Sequence, residues 1–427
     1  MTFQEFLGQR NGQLNQFFPH PNAKGTVLVS SHIWWTEQIA LAVYNLGYNL
    51  LIHFPFYFLY TDEAAWNNFD GLWDQIRHNI KEFKVDLILA GNSTAMAPHP
   101  KTHEMLHDAA GIPVVNYWWD EPRATPPFAS RGSSPQDYLA MLKNPRSLNV
   151  IWDIDVLEEL SAFYGLANTV HVPLATDPGF WQQTPVPMDK RAIRVCFLGN
   201  CHFDSAYVET DEDPLVRWAR QVIDAKIANL DRPMTACLKE VGAAPTASKY
   251  YDATKQNWAN MFRPWEFLNA VYMQRTRNHM VKAAAEHLKK KLVLIGNGWD
   301  KIGLTAQSRH AQEKSGYIYV NSQVSLNLFG GCVHGGMPLR PFDIAASSGL
   351  LVTHYQRELP GLFDVGKECL AFRNADQMIA AIDRVLAAPQ EFEAMVAAGR
   401  QRVLAEHTWM HRMEYVLQAA RERFAIR

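Results

Sequence analysis

The sequence predicts an α/β protein made of two doubly wound domains facing each other across a cleft, with a helical insertion in the second. Three observations carry this. Short β-branched runs alternate with helical periodicity in both halves of the chain, as they do when parallel strands are joined by crossover helices. A stretch rich in proline and glycine, residues 175–189 (ATDPGFWQQTPVPMD), has no periodicity and divides them. The length, 427 residues, allows two or three domains at about 150 residues each.

In the first half, TVLVS at 26–30 reads as a strand, 36–46 as a helix ending at Gly47, and 50–54 as the next strand. An amphipathic segment at 73–83 leads to a strand at 87–90 and the turn Gly91-Asn92-Ser93. A helix near 103–110 stops at Gly111, before a strand at 113–117. A strand at 149–152, a helix at 156–164 closed by Gly165, and a short strand at 169–172 complete a first domain spanning 1–180. The second domain, 190–408, starts with a strand at 194–198 and the turn Gly199-Asn200. Further strands fall at 292–295, before Gly296-Asn297-Gly298, at 325–328 and at 350–353. Residues 205–290, mostly helical and rich in Trp, Tyr and Arg, read as an insertion, in which Arg263, Arg275 and Arg277 form either a partner surface or part of a packed helical core. Helical pattern returns at 376–387 and 390–406, and a last helix within 409–427 is expected to cross back to the first domain.

Composition excludes several classes. The net charge of −2 leaves no basic surface for nucleic acid. No apolar run reaches the roughly 18 residues of a spanning helix. The N-terminus lacks a basic start followed by an apolar run, so no signal peptide is expected. Cys196, Cys201, Cys237, Cys332 and Cys369 are odd in number and scattered, which disfavours a disulfide framework and a zinc site and favours a reducing cytoplasm. The histidines show no metal-ligand spacing, so no metal is expected.

The most informative stretch is 329–349, FGGCVHGGMPLRPFDIAASSG. His334, Gly335 and Gly336 lie in a loop whose glycines permit close backbone approach. Pro341 suits the first turn of a helix over 342–348, and Gly349 the position after its end. A helix N-terminus beside Arg340 favours an anion such as phosphate. Asp343 can accept two hydrogen bonds from the vicinal diol of a ribose, or merely complement the helix dipole. The loop is neither a P-loop nor a dinucleotide fingerprint, since no G-K-[ST] and no G-x-G-x-x-G is present.

Other candidates lie at expected strand ends. Gly296 and Asn297 either border a nucleotide or are turn residues. His32 either meets a leaving phosphate or an acceptor, or is a surface histidine. Asp120 and Glu121 offer a carboxylate base toward an acceptor hydroxyl, or form a turn in which Arg123 pairs Glu121. Trp118 and Trp119 can pack against a sugar face.

Residues 316–410 resemble the C-terminal domain of CgeB-like (spore maturation protein) glycosyltransferases, relatives of the group-1 and family-4 enzymes of the GT-B fold, with two Rossmann-like domains. The matching residues run in order: Val324–Leu328, Arg340-Pro-Phe-Asp343, Gly349–Thr353, Leu362-Phe363, Gly366-Lys-Glu368, Ala398–Thr408 and Arg412. Trp118–Pro122 and His171–Pro178 resemble segments of that family's first domain and interdomain stretch. The resemblance implies a retaining glycosyltransferase with a nucleoside diphosphate sugar as donor and no cofactor. The acceptor would be a carbohydrate, a lipid-linked group or a protein. It implies that Asp343 stands for the second acid of the E-x7-E motif, and it leaves Gly335 where the first, sugar-contacting acid would fall. Two alternatives share the architecture: a nucleotide-sugar epimerase and a non-catalytic binding or scaffold protein.

Overall fold

The computed structural model describes residues 1–9, 15–30, 34–53, 63–92, 99–120, 122–123, 135–179, 181–201, 213–248, 258–307, 315–331 and 333–426. Among these, the first half forms a seven-stranded sheet from β1 (Asn15–Phe18), β2 (Thr26–Ser30), β3 (Asn49–His53), β4 (Leu87–Gly91), β5 (Val114–Trp118), β6 (Ser147–Ile151) and β7 (Thr169–His171). Its order is β1-β3-β2-β4-β5-β6-β7. β1 pairs antiparallel with β3 at the edge, and the other pairs are parallel. The helices are α1 (Phe3–Gln9), α2 (Trp34–Asn45), α3 (Glu63–Asn67), α4 (Phe69–Glu82), α5 (Leu106–Ala110), α6 (Pro135–Leu142) and α7 (Ile154–Tyr164). β2, β4, β5 and β6 are buried along their whole lengths, as strands covered by helices on both faces must be.

The second sheet is all parallel, in the order β12-β11-β10-β8-β9. Its strands are β8 (Ile193–Leu198), β9 (Leu292–Ile295), β10 (Ser322–Asn327), β11 (Leu351–His354) and β12 (Leu370–Phe372). Between β8 and β9 come α8 (Pro214–Ala228), α9 (Met234–Val241), α10 (Trp258–Met273), one π-helical turn (Gln274–Asn278) and α11 (His279–Leu288). α12 (Ser315–Val320), α13 (Leu339–Ala346), α14 (Leu359–Leu362), α15 (Ala375–Ala387), α16 (Glu393–Glu406) and α17 (Trp409–Phe424) follow.

Two doubly wound domains, expected from the strand and helix alternation, are therefore present. The details differ in ways that have local causes. The helix expected near 103 starts at Leu106, because His103 takes a left-handed backbone at φ 57°. The left-handed residue after α13 is Ser348, at φ 60°, and not Gly349. Gly349 is needed for packing instead, since a Cβ there would come within 3.0 Å of Ile344.

The two domains share cores. One apolar cluster runs from β2 and α2 through Tyr117 to α13 and α17. Trp409 of α17 donates its indole N–H to Gln38 of α2 at 3.0 Å, fastening the last helix to the first domain. A second cluster joins the other face of the first sheet to α8, α9 and α10. Trp265 of α10 reaches Tyr164 at the end of α7 in this way, so the insertion packs against the first domain as well as its own. The aromatic residues Trp265, Phe267 and Tyr272 are buried there, in a packed helical core.

Candidate active site

The carboxyl ends of the two sheets face one another, where ligands of open α/β sheets bind. A cleft of about 530 Å³ lies between them. Trp119, Asp120 and Trp152 line it from the first domain; Gly199, Asn200, Arg277, Pro338, Leu339, Arg340 and Asp343 line it from the second. Trp181 from the interdomain linker and Tyr319 from α12 contribute to the same wall.

The first turn of α13 opens onto this cleft through Pro338, Leu339 and Arg340. Its free N–H groups and the Arg340 guanidinium, half-buried beside Tyr319, make the wall electropositive. Arg277 adds a second guanidinium. It projects from the π-helical turn, a local widening that re-aims side chains and recurs at functional sites. Its Nη1 donates to Asn200 O at 3.1 Å and its Nη2 to Leu328 O at 3.1 Å. Arg340 lies on the other side of the same turn, its Nη2 3.8 Å from where a Gly199 Cβ would stand. Nothing in the local sequence of Arg277 marks it for this place, since only the fold brings residue 277 to the end of β8.

Gly296 and Asn297 sit behind the cleft wall. Gly296, at φ 144°, is buried against Gly199, whose carbonyl a Cβ at 296 would strike. Asn297 N–H donates to the Asn200 side chain at 3.1 Å and its carbonyl accepts from Cys201 at 2.9 Å. The two strand-end turns brace each other; Gly199 and Asn200 are the pair that lines the cleft.

The glycine-rich loop does not line the cleft as a unit. Gly330, Gly331 and Val333 do. His334, Gly335 and Gly336 are buried in the seam between the domains, against the start of α7. Asp153 caps α7, accepting from Asp155 N at 2.9 Å and Val156 N at 3.3 Å. The same carboxylate accepts from His334 N at 2.8 Å and from Gly335 N at 3.2 Å. The amides of this loop thus hold an internal carboxylate of the other domain. A Cβ at 335 would lie 2.6 Å from the Asp155 carboxyl carbon, and one at 336 would lie 2.7 Å from Asp153 Cα. Close approach is indeed what these glycines allow, but the partner is the other domain. An acid at 335 would collide with Asp155.

Buried charge fills the seam. His334 Nδ1 meets Glu159 at 2.8 Å and its Nε2 meets the Asn269 side-chain oxygen at 3.0 Å, so acceptors face both ring nitrogens. Burial alone would lower the His334 pKa, but Glu159 overcomes this and holds it above the ordinary histidine value. Glu159 also takes Arg123 at 2.6 Å. Arg123 thus reaches α7, with its guanidinium 3.5 Å over the Trp265 ring. Asp155 pairs Lys226 at 2.8 Å and Arg357 at 2.5 Å. His171 and Glu358 form a further pair across the seam at 2.7 Å.

Asp343 is 5% exposed at the cleft's edge and already holds the linker. Thr176 donates to it at 2.7 Å, and the Trp181 indole lies beside it. Burial pushes its pKa up to about 7, against the pull of Thr176 and Arg340.

On the first-domain wall the two adjacent tryptophans separate. Trp118 is 1% exposed, its indole N–H bonded to Asn149 at 3.1 Å, so it is core and meets no sugar. Trp119 faces the cleft, stacked on Tyr117 at 5.0 Å between centroids and edge-on to Trp409 at 5.7 Å. Asp120 lies beside it and accepts from Asn92 Nδ2 at 2.7 Å. One side is open to solvent, but protein crowds the carboxylate. The lost hydration raises its pKa, while Asn92 pulls it back. His32 and Glu121 lie outside the described residues.

Comparison with known proteins agrees with this architecture. The sucrose-phosphate synthase of Thermosynechococcus elongatus superposes with a TM-score of 0.50 at 12% identity, covering 94% of this chain and 100% of that one. HepE of Anabaena, in complex with UDP-glucose, gives 0.51 at 9% identity, covering 92% of this chain and 100% of its own. The fold is GT-B. Residues 275–418 match the family model described as glycosyl transferase-like. Among curated proteins, no sequence matches this chain.

Proposed function

We propose that the protein transfers a glycosyl group from a nucleoside diphosphate sugar to an acceptor hydroxyl. The observation that carries this reading is the pairing of two guanidiniums, Arg340 and Arg277, around the Gly199-Asn200 turn at a helix N-terminus, opposite Trp119 and Asp120. Arg340 and the first turn of α13 neutralise the diphosphate as it departs, an electrostatic stabilisation of developing charge. Arg277 assists from the other side. With two fixed cations in place, a divalent ion is not required for that task. Trp119 offers a ring to the sugar or acceptor, and Asp120 draws the proton from the attacking hydroxyl. The glycosyl-transferase-like match over 275–418 and the UDP-glucose complex of HepE support a nucleotide sugar as donor. The family resemblance implies retention at the anomeric carbon, whereas attack by a hydroxyl that Asp120 activates opposite the departing diphosphate inverts it, so the anomer formed reports whether Asp120 is the base. Among the described residues the cleft wall carries two carboxylates, Asp120 and Asp343, and the second is engaged by the linker. This favours transfer over epimerisation, which needs several acids converging on the sugar.

A thermal-shift panel of UDP-, GDP-, ADP- and dTDP-sugars tests the reading, because a ligand that binds the native state alone raises its melting temperature. At least one donor is expected to stabilise the protein. No shift from any of them at millimolar concentration would exclude the donor site. Among donors that bind, Asp120→Asn is expected to slow transfer while leaving the shift intact.

A further inference from the structure

Strand β4 ends in Gly91-Asn92, a dipeptide that reads as ordinary turn chemistry. Asn92 does take a left-handed backbone, at φ 47°. Its side chain, however, does more than a turn requires. The Oδ1 accepts from Trp119 N at 2.7 Å and from Asp120 N at 3.1 Å, while Nδ2 donates to Asp120 Oδ2 at 2.7 Å. One amide group thus fixes the backbone of both cleft-facing residues and one oxygen of the carboxylate. Gly91 completes the cradle, since any Cβ there would collide with the indole nitrogen of Trp119. The indole of Trp152, which donates to Trp119 O at 2.9 Å, closes the other side.

We propose that Asn92 is a positioning residue of the transfer reaction, aiming the Asp120 carboxylate and the Trp119 ring into the cleft. The proposal rests on the role given to Asp120 above. The amide N–H favours the charged carboxylate and leaves the second oxygen to the acceptor. Without it, Asp120 keeps its crowded surroundings, which raise its pKa, and loses the amide that opposes them.

The discriminating variant is Asn92→Gly. Glycine adopts the left-handed backbone at no steric cost, so a residue kept only for its turn is replaced harmlessly. Two readouts apply. The Asp120 carboxyl resonance, assigned by its loss in Asp120→Asn, is titrated in aspartate-labelled wild type and Asn92→Gly. Release of nucleoside diphosphate from UDP-glucose, GDP-mannose, ADP-glucose and dTDP-glucose is followed with water as acceptor. The Asp120 titration is expected to move to higher pH in Asn92→Gly. Turnover of the donor used is expected to fall about 10–100-fold, a partial loss of the roughly 10²–10⁴-fold that a positioned acid–base group contributes, with donor binding unchanged. An unmoved titration, or wild-type turnover in Asn92→Gly alongside a slow Asp120→Asn, overturns the role of Asn92 and spares Asp120. Wild-type turnover in Asp120→Asn overturns both.

Discussion

The loop and helix at 329–346 serve two regions of opposite character. His334–Gly336 enter a seam where charges find partners inside the protein: Asp153 on the loop amides, Glu159 between His334 and Arg123, Asp155 between Lys226 and Arg357. A few residues later, Arg340 opens onto a cleft of about 530 Å³. The seam pairs its charges internally and holds the domains together, whereas in the cleft Arg340 stands half-buried on the wall of an open volume. Glycine-rich sequence marks close approach in both regions, but only the second approaches a ligand-sized volume. Substitutions in the seam are therefore expected to cost stability, and those in the cleft to cost binding.

The largest effect is expected for Glu159→Ala. It strands Arg123 and His334 without their shared carboxylate, and breaking a buried pair from one side costs about 3–5 kcal/mol. Chemical denaturation measures this; a change within about 0.5 kcal/mol would show that the seam is not a stabilising contact. Asp343 comes next and is read through pH. Its pKa is about 7 in the fold against 3.8 for the ordinary group. Its protonated form is thus favoured by folding, and that stability is full below the ordinary value and lost as pH rises through about 7. The shift corresponds to about 4 kcal/mol. Asp343→Asn is expected to remove this part of the pH dependence in melts between pH 4 and 8, and parallel curves for the two proteins would contradict the buried-acid account. Gly335→Ala is expected to cost about 1–3 kcal/mol by overpacking against Asp155. If it instead left stability unchanged and abolished nucleotide binding, the loop would belong to the cleft after all.

Much of this fold was legible in the sequence, because fully buried parallel strands such as TVLVS at 26–30 leave apolar, β-branched runs bounded by turn residues. β1 was not. Its four residues, NQFF, are too short and mixed to show a period, and an antiparallel edge strand is defined by its partner. Within the site, Arg340 could be read from the helix start beside it, and Asp120 from its place after a strand. Trp118 and Trp119 show what the period of two decides: neighbours on an extended chain point to opposite faces, so one of the pair had to be core. For Gly335 and Gly336 the sequence announces a close contact and cannot name the partner, here Asp153 and Asp155, roughly 180 residues away. Arg277 had no local signal, because its position comes from a π-turn deep in the insertion.

The central claim, that Arg340 and the start of α13 form a diphosphate site, is tested most directly by one pair of titrations. Wild type and Arg340→Ala are each titrated with the nucleoside diphosphate that best stabilises the protein and with its nucleoside. Losing a charge-assisted contact of about 1.5–3 kcal/mol weakens the diphosphate about 10–100-fold. The nucleoside is expected to bind both proteins alike. Equal weakening of both ligands, or unchanged affinity for the diphosphate, would contradict the account.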